Sequence, residues 1–139
     1  MIVYTNDGID FRPVEDGYEL ADGEIAFDGY ATDAELAATF PGYAVKAQER
    51  LQRKLVAAVQ KHMDEAARAR GYDNIFSAST YADESAVPKF QTEGQAYREW
   101  RSLVWAYCYA QMDAVLAGER ATPTTAELIA ELPALVLPE

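Results

Sequence analysis

The sequence predicts an α+β protein: a small N-terminal β-hairpin or meander head, followed by an antiparallel helical hairpin with short additional helices. Three observations carry this. Four Asp-Gly pairs fall within the first 29 residues, separated by runs rich in Tyr, Ile, Val and Phe. Ala44 to Arg70 contains neither Gly nor Pro and ends at Gly71, and a second long helical stretch, 90–117, ends at Gly118. At 139 residues the chain is long enough for one core without covalent staples.

The head is assigned to residues 1–43. Asp7-Gly8, Asp16-Gly17, Asp22-Gly23 and Asp28-Gly29 supply the positive φ of tight turns, and "IVYT", "IDFRPV", "YEL" and "EIAF" between them suit strands. Calcium loops also use Asp beside Gly. The spacing of these pairs fits neither an EF-hand nor a nonapeptide repeat, so hairpin turns are the expected role. "ATDAELAATFPGY" adds a short helix capped by Thr32 or Asp33 and closed at Pro41-Gly42.

The helical domain is assigned to residues 44–139. Its first long helix, 44–70, places Leu51, Leu55, Ala58, Val59, His62, Ala66 and Ala69 on one side, and Arg50, Lys54, Lys61, Glu65 and Arg68 on the other. Gly71 stands where a helix ends in the left-handed conformation. A short helix, about 74–80, has Asp73 or Asn74 as its N-cap. After the second long helix, Thr124 and Glu127 form a capping-box pattern opening a last helix, about 125–132, stopped by Pro133.

The stretch "YREWRSLVWAYCYAQM", Tyr97 to Met112, holds five aromatic residues and the chain's one cysteine. Tyr97, Val104, Cys108, Met112 and Val115 form a central stripe. Trp100 and Tyr107 flank it on one side, Trp105, Tyr109 and Leu116 on the other. One neighbouring helix cannot cover so wide an arc, so the flanks face either the rest of the chain or another chain, a homo-oligomer included.

Charge and chemistry narrow the function. The net charge is −11, of which −9 lies in residues 1–43, where Arg12 is the sole basic side chain. Such a surface repels nucleic acid and suits a basic protein partner or plain solvation. No apolar run spans a membrane, and "MIVYTNDGID" is unlike a signal peptide, so a soluble protein made inside the cell is expected. One His and one Cys cannot build a zinc site, the acidic pairs Glu15-Asp16, Asp64-Glu65 and Asp83-Glu84 are adjacent and diverge, and nucleotide or hydrolase signatures are missing. No cofactor is expected. A Cys108–His62 nucleophile pair across antiparallel helices is the one enzymatic alternative, and it lacks an orienting third group.

Residues 59–133 carry a recognisable pattern: Ala69-Arg70-Gly71-Tyr72-Asp73, the Ser77 to Tyr81 segment, Phe90 with Glu93-Gly94, Trp100-Arg101 with Trp105 and Cys108-Tyr109, and Pro123-Thr124 before Leu128. In residues and in order of elements this resembles the C-terminal domain of phage tail-fibre assembly proteins. The likeness covers a little over half of the chain; residues 1–43 match no family pattern. It implies a non-enzymatic protein that binds a bacteriophage tail-fibre or receptor-binding protein and assists its folding or attachment, acting as a chaperone in the host cytoplasm. The alternative it leaves is a permanent component of the virion tail or fibre. On that reading one aromatic flank becomes a partner-binding surface: the Trp100 and Tyr107 edge first, the Trp105 and Tyr109 edge second.

Overall fold

The computed structural model describes residues 1–139. It is α+β, with a three-stranded antiparallel sheet at the N-terminus followed by five helices, and it divides into two compact units, Met1–Arg53 and Lys54–Glu139. The first unit runs past residue 43 because the opening turns of a long helix are bonded to the sheet's first turn: Lys46 Nζ lies 2.7 Å from Asp7 and donates to Asn6, and Arg50 donates to the Ile9 carbonyl.

In unit 1, β1 (Ile2–Thr5) is central, with β2 (Asp10–Pro13) and β3 (Ile25–Phe27) as the two edges. Both pairings are antiparallel, with Tyr4 opposite Phe11 on one side and Ile25 on the other. A meander would have put β2 in the middle. The reason lies in "IVYT": Ile2, Val3 and Tyr4 are all buried, and a strand buried on both faces belongs inside a sheet. Only β1 and β2 form a hairpin. "YEL" forms no strand; its Tyr18 hydroxyl accepts from Arg12 at 2.6 Å and donates to Glu24 at 3.0 Å, which orders the crossing loop.

Asp7-Gly8, Asp16-Gly17 and Asp22-Gly23 serve as turns with a positive-φ glycine, most tightly at Asp7-Gly8; Gly29 lacks the expected positive φ, and Asp28-Gly29 is a bend after β3. Asn6 and Asp7 adopt left-handed φ of 51° and 53°, a conformation that Asn and Asp tolerate better than other side chains. Gly8 follows at φ 85°, and a Cβ there would meet the Phe40 ring at 2.9 Å. The α1 helix (Asp33–Thr39) starts at Thr32, whose hydroxyl accepts from the Glu35 amide. Its Leu36, with Phe40, packs on Ile2 and Tyr4 as the core of this unit.

The α2 helix (Tyr43–Arg68) begins in unit 1 and continues into unit 2, where α3 (Ile75–Thr80), α4 (Pro88–Leu116) and α5 (Thr125–Glu131) follow. Both long helices end in the paired hydrogen bonds of a Schellman motif: Tyr72 N–H to Ala67 with Gly71 N–H to Arg68, and Glu119 N–H to Ala114 with Gly118 N–H to Val115. The N-cap of α3 is Asn74, in a reciprocal box with Ser77, and Thr124 caps α5 by accepting from the Glu127 amide. The α4 helix starts two residues before the expected Phe90, because Pro88 occupies its first turn, where a missing N–H costs nothing.

The buried stripe of α2 is rotated from the expected one. Val59, Met63 and Ala67 are its centre, Leu55 and Ala66 its margin, and Ala69 is exposed, while Lys54, Lys61, Glu65 and Arg68 face solvent as expected. Pairs along the contact fix the direction of α4: Arg70 with Glu93, Ala66 with Tyr97, and His62 with Trp100. Each step back along α2 moves forward along α4, so the hairpin is antiparallel.

Candidate interaction surface

The aromatic stretch of α4 divides into covered and open residues. Trp100, 4% exposed, contacts the His62 ring at a centroid distance of 5.9 Å, and its indole N–H donates to the Pro133 carbonyl at 2.7 Å. A buried indole whose one donor is satisfied inside the chain is a core anchor. Tyr107 is half-buried and donates to Glu131 at 3.2 Å. The first-choice edge therefore faces inward, because α5 and the residues after it supply the partners for its polar atoms. Trp105 and Cys108 are also half-buried, packed against the core together with Ile129, Leu132, Leu135 and Leu137.

Of the four aromatic residues singled out from the sequence, Tyr109 alone is open, at 63% exposure. Leu103 and Leu116 on the same helix are exposed as well, with Ala106 and Ala110 between them. These residues lie on the arc of α4 away from Tyr97 and Val104. Tyr109 and Leu116, seven residues apart, share one side of α4, whereas Leu103 is turned about 120° around the helix from Tyr109. The exposure of Leu103 was not legible, since an isolated Leu between two tryptophans reads equally well as core.

Arg120 secures the inner edge. Its guanidinium makes two hydrogen bonds to the Glu131 carboxylate, both 3.1 Å, and a third to Gln111 at 2.6 Å. The hydrogen bond from Arg120 lowers the Glu131 pKa, and the Tyr107 hydroxyl adds to it. Paired, planar geometry of this kind fixes orientation as well as charge.

A second cluster, of Tyr72, Tyr81, Phe90, Glu93 and Gly94, lies at the other end of α4. Glu93 is the one buried charged residue; the Tyr72 hydroxyl donates to it at 2.7 Å and Arg70 lies 3.8 Å away. Burial first, then the hydrogen bond to Glu93, raises the Tyr72 pKa far above the phenol range, so this hydroxyl keeps its proton and stays a donor. Tyr72 also touches the rings of Tyr81 and Tyr97, and Tyr81 touches Phe90. Gly94 lets α4 press against α3 and the 3-10 turn Tyr81–Asp83: a Cβ there would lie 2.6 Å from the Ala82 nitrogen and 2.9 Å from the Ala78 oxygen. A lone Gly inside a helical pattern is the signal that could have pointed to this approach. Nothing in the sequence marked Glu93 as buried.

The geometry separates His62 from Cys108. His62 sits opposite Trp100, eight residues before Cys108, which is about 12 Å along a helix at 1.5 Å per residue. Burial raises the Cys108 pKa, the direction opposite to an activated thiolate. The structure does not bring His62 and Cys108 together as that pair would need. No group of three or more His, Cys, Asp or Glu side chains is gathered as a metal would need, and no helix is long and apolar enough to cross a membrane.

Compared with known proteins, the chain matches no family model, no curated protein and no solved structure.

Proposed function

We propose that this protein is a non-enzymatic phage tail-fibre assembly protein that binds the tail-fibre or receptor-binding protein and assists its folding or attachment. One observation carries the reading. The residues of the tail-fibre-assembly pattern between 70 and 94, Arg70, Tyr72, Tyr81, Phe90, Glu93 and Gly94, converge on one packing centre, while its later residues, Trp100 to Leu128, lie elsewhere in unit 2. A resemblance that tracks residues packed together in space supports a shared domain better than scattered identities would. The side of α4 that carries Tyr109 and Leu116 is the surface on which the fibre protein docks, since apolar side chains spaced a heptad apart on an outward helix face fit a groove or helix of a partner.

Co-expression with the fibre protein encoded beside it tests the proposal. The two should co-purify and the fibre protein should become soluble; a fibre protein that folds equally well alone refutes the chaperone role. Mass spectrometry of purified particles separates the two roles within the reading: a transient chaperone is missing from the virion, and a permanent tail component is present in it. Tyr109→Ser with Leu116→Ser should abolish co-purification while leaving the melting temperature within about 4 °C, as each exposed substitution changes stability by about 0.5 kcal/mol or less.

A further inference from the structure

We propose that unit 1 carries a second interaction surface, an aromatic corner made by Phe11 and Tyr30, which docks a Lys- or Arg-bearing segment of a protein partner. Phe11 on β2 is 56% exposed and Tyr30, after β3, is 73% exposed. Their rings meet edge to face with centroids 5.7 Å apart, and Phe11 lies equally close to the buried Tyr4. The corner is thus continuous with the core of its unit and held in place by it. Ile25, the other neighbour of Tyr4 across the sheet, is exposed on the same face. Leu36 and Phe40 pack on Ile2 and Tyr4, leaving Phe11, Ile25 and Tyr30 open beside them.

Charge identifies the occupant. Residues 1–43 carry a net charge of −9, and Asp28 lies two residues before Tyr30 in sequence; Asp10 alternates with Phe11 along β2 and faces the other side of the sheet, and Asp33 accepts from the Tyr43 hydroxyl. The nearby cations are engaged elsewhere: Arg12 with Glu24, Lys46 with Asp7, and Arg50 with the Ile9 carbonyl. Exposed aromatic rings on so acidic a unit attract ammonium and guanidinium groups, by cation–π contact and by opposite charge. The chain uses this chemistry internally, where the Arg12 guanidinium sits 5.2 Å from the centre of the Tyr18 ring and bonds to Glu24.

The partner docks through side chains and not by adding a strand. The Val14 amide donates to Met1, so in the alternating pattern of an antiparallel pair the β2 residues that turn their backbone outward are Phe11 and Pro13. Pro13 has no N–H to offer, which blunts that edge. The opposite edge, β3, is three residues long. This inference goes beyond the tail-fibre reading and concerns unit 1 alone; failure of the α4 variants to affect fibre binding leaves it standing.

The test uses the full-length protein, with amide chemical shifts recorded during titration with two short synthetic peptides, one alternating Lys with Leu and the other with Glu in place of Lys. The Lys peptide should shift amides of residues 10–12 and 28–31 and bind less well as salt rises. Tyr30→Ser, a change at an exposed residue outside any strand, should weaken it about tenfold, and Asp28→Asn about threefold, with the thermal melt unchanged. Equal binding of the Glu peptide, unchanged affinity in Tyr30→Ser, or no shifts at about 1 mM peptide each overturns the proposal.

Discussion

Replacing Gly94 with alanine should destabilise unit 2, although the same change in an ordinary helix stabilises. Removing a mid-helix glycine gains about 1 kcal/mol of helix propensity. Against this, the new methyl would sit 2.6, 2.8 and 2.9 Å from three backbone atoms of Ala82, Tyr81 and Ala78. Backbone cannot rotate aside as a side chain can, so the 3-10 turn or α4 has to retreat, and with it the Tyr72–Tyr81–Tyr97 contacts. Overpacking of this kind costs about 1–3 kcal/mol, or more where the backbone is rigid. The contact is tight enough for the upper part of that range, giving a net loss of about 1–2 kcal/mol and a melting temperature about 3–8 °C lower. Tryptophan emission is a suitable probe, because Trp100 and Trp105 are the chain's two tryptophans and both belong to unit 2. Ala110→Gly, on the exposed side of α4, is the control and should cost about 1 kcal/mol from propensity alone. A Gly94→Ala protein that melts at or above the wild-type temperature would refute the reasoning and make Gly94 an unoptimised helix position.

Further outcomes follow from the polar contacts. Tyr72→Phe keeps the ring but leaves the buried Glu93 carboxylate without its shortest donor, and should cost about 1–3 kcal/mol in urea unfolding. Trp100→Phe removes the bond to the Pro133 carbonyl; a loss of about 0.5–1.5 kcal/mol is expected, with faster proteolysis after Leu132 as a local sign that the tail has loosened. The Glu131 pKa is lowered in the folded state, so the pair with Arg120 contributes stability above the ordinary glutamate pKa of about 4.3, and loses it as pH falls through the lower folded value. Arg120→Gln should flatten that part of the acid limb in pH-dependent unfolding; an unchanged limb would show that the contact is without thermodynamic weight.

Local signals were legible where one residue type answers one backbone demand. Gly71 and Gly118 stop helices, Asn74 and Thr124 cap them, and Asp7-Gly8 turns a hairpin, because each meets a need of its own few neighbours. Strand order was not, since nothing in "IDFRPV" or "EIAF" says which edge each will take; that is decided by β1 being apolar on both faces. The aromatic flanks of α4 were ambiguous for a related reason. A tryptophan reads the same whether it meets a partner or a later segment of its own chain, and the Pro133 carbonyl that receives Trp100 lies 33 residues away in sequence. The periodicity of α4 did locate its central stripe, but not which margin the tail would cover.

The four Asp-Gly pairs have a consequence for how the protein ages in solution. Attack by a following amide nitrogen on an aspartate carboxyl closes a succinimide, which reopens largely to isoaspartate, and glycine hinders that attack least. At Asp7 the carboxylate is held by Lys46 beside Gly42, so the ring closure is opposed. At Gly17, Gly23 and Gly29 the surroundings are open, so chemical wear on a stored sample concentrates in the crossing loop and beside Tyr30 and spares the hairpin on which the sheet is built.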